Sequence, residues 1–163
     1  MLIYAALLSG HWLGDHWAQS DHQAATKGQQ DTAGRRSCAA HVATLTVCQG
    51  VMLALVAVAG DEVVGPLQAG LGLAVNAFSH YWADRRRTLE GLAWALGRHG
   101  YYTRAPGAMD QAWHMGWMLP AALIIAEPDP AAAAALAALC LLLLYLAEMA
   151  SRAGWDKART VRS

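Results

Sequence analysis

Every one of the 12 Lys and Arg residues in this chain falls in alternate gaps between five apolar stretches. The stretches run roughly over residues 2–17, 39–59, 63–83, 111–126 and 131–149. Lys27, Arg35 and Arg36 follow the first. Arg85, Arg86, Arg87, Arg98 and Arg104 separate the third from the fourth, and Arg152, Lys157, Arg159 and Arg162 follow the fifth. The two remaining gaps hold Asp61 and Glu62, then Glu127 and Asp129, with no basic residue. A helical bundle in water has no reason to alternate its charges this way, whereas a polytopic membrane protein keeps Lys and Arg on its cytoplasmic side.

The expected fold is therefore all-α: a polytopic membrane helical bundle of about five transmembrane helices. Residues 1–163 read as a single integral membrane domain with cytoplasmic loops over 18–38 and 85–109. The N-terminus lies outside, the C-terminus lies in the cytoplasm, and the lipid bilayer of the cytoplasmic membrane is the surrounding partner. Composition agrees. Charged residues are 15% of the chain, against about 25% in soluble domains, and the abundance of Ala and Leu with a single Phe favours helix over sheet. A helix needs about 20 residues to cross the hydrocarbon core. The second, third and fifth stretches reach that length, while the first and fourth are shorter and carry polar residues. Pro120 predicts a kink in the fourth. The first stretch has no basic segment before it and carries His11 and Asp15 near its centre, so it reads as a retained helix rather than a signal peptide. A net charge of zero speaks against nucleic acid as a partner. Cys38, Cys48 and Cys140, an odd number with no CxxC spacing, speak against a disulfide framework or a zinc finger, and Cys140, inside an apolar run, reads as a packing residue.

Three histidine–aspartate pairs recur at helical spacing: His11 with Asp15, His80 with Asp84, and Asp110 with His114. Residues four apart project from one helix face. With the orientation above, all three pairs and His41 come to the cytoplasmic ends of four different helices. Ionisable groups inside a membrane are costly and face the bundle interior or a wet cavity, and grouping imidazoles with carboxylates around a divalent cation removes much of that cost. The expected ligands are His11, Asp15, His41, His80, Asp84, Asp110 and His114. Mixed nitrogen and oxygen donors suit zinc, manganese or iron better than calcium or copper(I). Seven candidates exceed the four of a closed zinc site and leave room for one or two ions, or for aspartates that orient the ligands.

Each piece also has a plainer explanation. Asp110 can be the N-cap of the fourth helix, and Asp84 can pair with Arg85–Arg87 at the surface. Asn76 and Gln19 lie one turn from His80 and Asp15 and can join the same faces. Gln19, Asp21, His22 and Lys27 are candidates for a substrate pocket, of which Gln19 and Lys27 are preferred. His16 reads as interfacial, like Trp12 and Trp17, and Gly10 with Gly14 forms a GxxxG that signals close helix approach. Residues 88–96 predict a short amphipathic helix lying in the interface, with Trp94 at headgroup level. Arg98, His99, Tyr101, Tyr102 and Arg104 read as membrane anchors, and the basic tail after Met149 as a lipid contact or disordered segment.

The run LLSGHWLGDHWAQSDHQAATKG, followed by these later pairs, resembles a family of small bacterial and phage integral membrane proteins of unknown function. Its pattern is HxxGD with a following Gln and Lys, a His opening a second helix, HxxxD closing a third and DQxxH opening a fourth. The matching residues are His11, Gly14, Asp15, Gln19 and Lys27; His41; His80 and Asp84; and Asp110, Gln111 and His114. They span about residues 5–120. His16 stands where an aromatic or aliphatic residue is usual, and Arg85–Arg87 stand where a single Lys is. The pattern is similar to that of membrane-bound metal-dependent hydrolases, and likeness of pattern does not establish chemistry.

Three functions are weighed. The first is a metal-dependent hydrolase at the cytoplasmic surface, with Asp15 and His41 as ligands or proton carriers and Lys27 pairing with an anionic substrate. A phosphoester, in a lipid headgroup or a nucleotide, is the substrate guess. The second is a divalent-cation transporter, although such sites usually lie near the midplane. The third is a non-catalytic phage or bacterial envelope protein with a structural metal.

Overall fold

The computed structural model describes residues 2–60 and 63–162 of the chain. Among them every regular element is helical. The order is α1 (Leu2–Leu13), a π-helical turn (Gly14–Ala18), α2 (Asp21–Thr26), α3 (Thr32–Ala59), α4 (Pro66–Asp84), α5 (Arg87–Ala95), α6 (His99–Arg104), α7 (Pro106–Ala126) and α8 (Pro130–Arg162). The all-α expectation holds. Asp61 and Glu62, half of the acidic evidence for orientation, lie outside the described residues.

Local chemistry sets the helix ends. Ser20 and Gln23 form a reciprocal capping box on α2, and the Asp31 carboxylate accepts from Gly34 N at 2.7 Å to cap α3. Pro66, Pro106 and Pro130 open α4, α7 and α8, where their missing N–H costs nothing. Asp129, read as a charge marking an outer loop, also accepts from Ala131 N at 3.0 Å and caps α8. Gly97, at φ +68°, ends α5. Its left-handed backbone lets Arg98 N reach Ala93 O at 2.7 Å.

Among the described residues two helices are long and apolar enough to cross a membrane, Thr32–Ala59 and Pro130–Thr160, not about five. The correction has a physical reason. α1 has only 12 residues, and the polar side chains that build the interior interrupt the apolar character of α4 and α7. α3 and α8 turn their apolar faces outward: only 22% and 17% of their most apolar windows are buried. Val47, Val51, Leu55 and Val58 stand exposed along α3, and Leu139, Leu142, Leu143 and Leu146 along α8.

Close approach of α1 to α3 organises the bundle. A Cβ on Gly10 would lie 2.5 Å from Gln49 Cα, and one on Gly14 would lie 2.8 Å from Leu45 Cα. The GxxxG therefore marks a real contact between helix backbones. Ile3, Leu7, Leu53, Met118, Ala121 and Ile125 fill the core between α1, α3 and α7. Val75, Ile124, Ala133, Ala137 and Cys140 pack α8 onto α4 and α7. Cys140 is thus a packing residue, and all three cysteines are free thiols. α7 runs without interruption through Pro120.

The loops expected at 18–38 and 85–109 are largely helical. The helix expected over 88–96 forms as α5; of its apolar side Leu89 is buried, Leu92 is half-buried and Leu96 is exposed. The segment after Met149 continues α8 and packs on α5. Ser151 Oγ donates to Thr88 O at 2.7 Å and Trp155 Nε1 to Arg87 O at 2.9 Å. Gly154 lies directly on the Gly91 carbonyl with no room for a Cβ. Gly154→Val should therefore detach α5 from α8 and cost about 1–3 kcal/mol, read as a lower thermal midpoint.

Candidate metal centre

Four helices and the π-helical turn meet at one point. α1 brings His11 at its end, and the turn that follows brings Asp15. α3 supplies His41, the last turn of α4 supplies His80 and Asp84, and α7 supplies Asp110 and His114. The π-helical turn was not foreseen. Such turns insert one extra residue per turn and re-aim side chains, and they recur at functional sites.

The four imidazoles all present Nε2 to the three carboxylates. His41 Nε2 lies 3.0 Å from Asp15 Oδ1 and 3.3 Å from Asp84 Oδ2. His80 Nε2 lies 3.5 Å and 3.2 Å from the same two oxygens. His114 Nε2 lies 3.8 Å from Asp84 Oδ1 and 3.4 Å from Asp110 Oδ1. Two donors each about 2.1 Å from a tetrahedral ion stand about 3.4 Å apart, so these spacings suit a shared cation. Among the described residues three groups can hold one: Asp15 with His80 and His114; His41 with His80 and Asp84; and Asp84 with Asp110 and His114. Asp84 belongs to two of them and turns a different oxygen to each. His11 belongs to none; its Nε2 faces Asp15 Oδ2 at 3.4 Å and Gln111 Oε1 at 3.4 Å.

Burial sharpens the requirement for positive charge. The four histidines and Asp84 are no more than 2% exposed, Asp15 is 7% exposed at its side chain, and Asp110 is 32% exposed. With neutral imidazoles, three carboxylates face the single ammonium of Lys27. Two further positive charges are needed, and one divalent cation supplies them. Protons on two histidines would also balance the charge, since His41 Nε2 and His80 Nε2 lie within charge-assisted hydrogen-bond reach of Asp15 and Asp84. The same convergence of nitrogen and oxygen donors within 4.8 Å of one another is what a divalent cation needs.

The plainer explanations of the two doubtful aspartates fall away. Asp110 lies one turn inside α7, which starts at Pro106 with Ala105 as its cap. Asp84 pairs not with Arg85–Arg87 but with Lys27 Nζ, at 2.9 Å. Arg85 is itself buried and donates to the carbonyls of Lys27 and Gln29. It clamps the turn after α2 and so fixes Lys27, a role with no signal in the sequence. Lys27 Nζ also lies 3.3 Å from His41 Nε2, so in this structure the ammonium sits at the edge of the centre.

Gln19 Nε2 lies 2.9 Å from His41 Nδ1. Turned over, the same amide accepts from Nδ1–H and leaves Nε2 free to ligate, the usual support for a ligating histidine. Asn76 does not join the ligands. Its amide donates to Gln49 Oε1 at 2.8 Å, and Gln49 Nε2 donates to Leu7 O at 3.1 Å. Gln49 was missed by sequence reading, although a glutamine deep in an apolar stretch was signal enough. Asp21 and His22 are exposed on α2 and stay outside the site. His16 stacks on Trp12 at 4.7 Å on the surface, as an interfacial residue would. His99 stacks on Trp94 at 4.0 Å, and Arg98, Tyr101 and Arg104 are exposed.

Comparison with protein-family models, with curated proteins and with solved structures finds no match to this chain.

Proposed function

We propose that the chain is an integral membrane metalloprotein that hydrolyses a phosphoester at the cytoplasmic face. It is placed with the small bacterial and phage membrane proteins that it resembles in its HxxGD, HxxxD and DQxxH motifs. The observation carrying this reading is the convergence of His41, His80, His114, Asp15, Asp84 and Asp110 in overlapping groups spaced to hold a metal ion. Zinc, manganese or iron would be held there. Asp84, with one oxygen toward His41 and His80 and the other toward His114, suits a carboxylate shared between two ions. His11 and Gln19 support the ligands rather than bind.

The membrane reading rests on α3 and α8, the two helices long and apolar enough to cross a bilayer, with α1, α4 and α7 packed against them. The basic residues at one end favour a cytoplasmic centre and an outside N-terminus. A bound divalent ion would lower the pKa of its water and polarise a phosphoryl oxygen. Asp110 is the most exposed of the candidate ligands and marks the side from which water and substrate arrive. Transport is less well supported. Beyond Gln49 and Asn76 the interior is Leu7, Leu53, Met118 and Ile125, with no polar path onward among these residues.

The test is a phosphatase and phosphodiesterase screen on metal-loaded protein. Lys27→Ala should lower activity by about 100-fold through loss of a cation at the reacting group, with metal content retained. Equal turnover by Lys27→Ala and wild type would remove Lys27 from the mechanism.

A further inference from the structure

A cavity of about 330 Å³ opens beside the metal centre, lined by Lys27, Asp84, Arg86, Tyr102, Asp110 and neighbouring apolar atoms. It is the approach to the group formed by Asp84, Asp110 and His114, because two of those three residues line it. Arg86 holds the other wall. Its backbone is the only non-glycine position with positive φ among the described residues, at 56°, a conformation that costs about 1–3 kcal/mol and persists only where surrounding structure imposes it. The side chain runs over Gly28, where a Cβ would meet Arg86 Cδ at 2.8 Å. Its guanidinium makes one long bond, to Ala24 O at 3.4 Å, and no carboxylate among the described residues forms an ion pair with it. Tyr102 Oη donates to Arg86 O at 3.4 Å and borders the same space.

Charge determines what such a cavity takes. Without metal, Asp15, Asp84 and Asp110 outweigh Lys27 and Arg86 by one charge, and the cavity disfavours an anion. A divalent ion among the carboxylates reverses the sign and leaves one net positive charge. It also competes with Lys27 for Asp84 and frees the ammonium to turn into the cavity. The guanidinium is a planar fork suited to paired phosphate oxygens.

Resting on the metal-centre reading, we propose that this cavity is a metal-dependent phosphate site in which Arg86 and Lys27 grip the phosphoryl group of the substrate, with Gly28 leaving the space that Arg86 needs. The phosphate belongs to a lipid headgroup or to a soluble ester, and both present the same group.

The experiment is calorimetric titration of inorganic phosphate into purified, metal-loaded protein, with metal content measured on the same samples. Phosphate should bind wild type and fail to bind after chelation. Arg86→Gln, at an exposed position, should weaken binding at least about tenfold, or 1.4 kcal/mol, with metal unchanged. Arg86→Lys should recover part of the loss, and Gly28→Ala should weaken binding by displacing the arginine. Unaltered affinity in Arg86→Gln, or no phosphate binding by protein that holds metal, overturns the proposal and leaves the metal centre standing. Protein that takes up no metal overturns both. Competition by glycerol 3-phosphate in solution, against phosphatidic acid in nanodiscs, separates the soluble from the lipid source.

Discussion

Asp84→Asn should lower metal affinity by more than about 100-fold. Loss of a residue that merely orients a ligand costs about 10–100-fold, and Asp84 stands in two of the three possible ligand groups. The replacement keeps shape and volume and removes one charge and one donor oxygen. Its effect should also appear as lost metal-linked stability. At a thousandfold excess of metal over its dissociation constant, wild type gains about 4 kcal/mol, or roughly 10 °C for a chain of this size. Chelation should lower the thermal midpoint of wild type by that amount and that of Asp84→Asn by no more than about a third as much. If both proteins respond to chelator equally, Asp84 is not a ligand.

Gly10→Ala should destabilise the bundle far more than its single methyl group implies. The added Cβ would lie 2.5 Å from Gln49 Cα and 2.7 Å from Gln49 N. These are backbone atoms of a neighbouring helix and cannot swing aside. α1 must move away from α3, which pulls Gln49 from Leu7 O and shifts His11 and Asp15, the next residues toward the centre. A cost at the upper end of the overpacking range, about 3 kcal/mol, is expected, together with weakened metal binding. Gly50→Ala, one residue from Gln49, meets nothing within 4 Å and should be neutral or gain up to about 1 kcal/mol from helix propensity. Equal thermal midpoints for the two variants would refute the close packing of α1 on α3.

The parts of the site legible in sequence were those encoded by local spacing. His11 with Asp15, His80 with Asp84, and Asp110 with His114 show their shared faces through the four-residue interval alone, and the basic gaps bring them to one end. The all-helical class was legible for the same reason, since periodicity is a local property. Contacts between distant segments were not. Arg85 reads as one of three surface bases, yet it folds back onto Lys27 O and Gln29 O across 58 and 56 residues. The π-helical turn at Gly14–Ala18 has no periodic signature, because a single inserted residue is invisible in a stretch so short. The count of spans failed where polar residues break the apolar stretches: Gln68, Asn76, Ser79 and His80 are buried inside α4, so this helix is polar where it faces the interior. The tail after Met149 looked like a free basic segment because the Gly91–Gly154 contact that holds it spans two glycines far apart in sequence.

Metal content of the purified protein, measured by ICP mass spectrometry beside His80→Ala and Asp110→Ala, tests the central claim most directly. One or two equivalents of zinc, manganese or iron in wild type, lost from His80→Ala and reduced in Asp110→Ala, is the predicted result. A wild type that stays free of metal after incubation with each of these ions would contradict it, and the cluster would then be a buried network of protonated histidines and carboxylates.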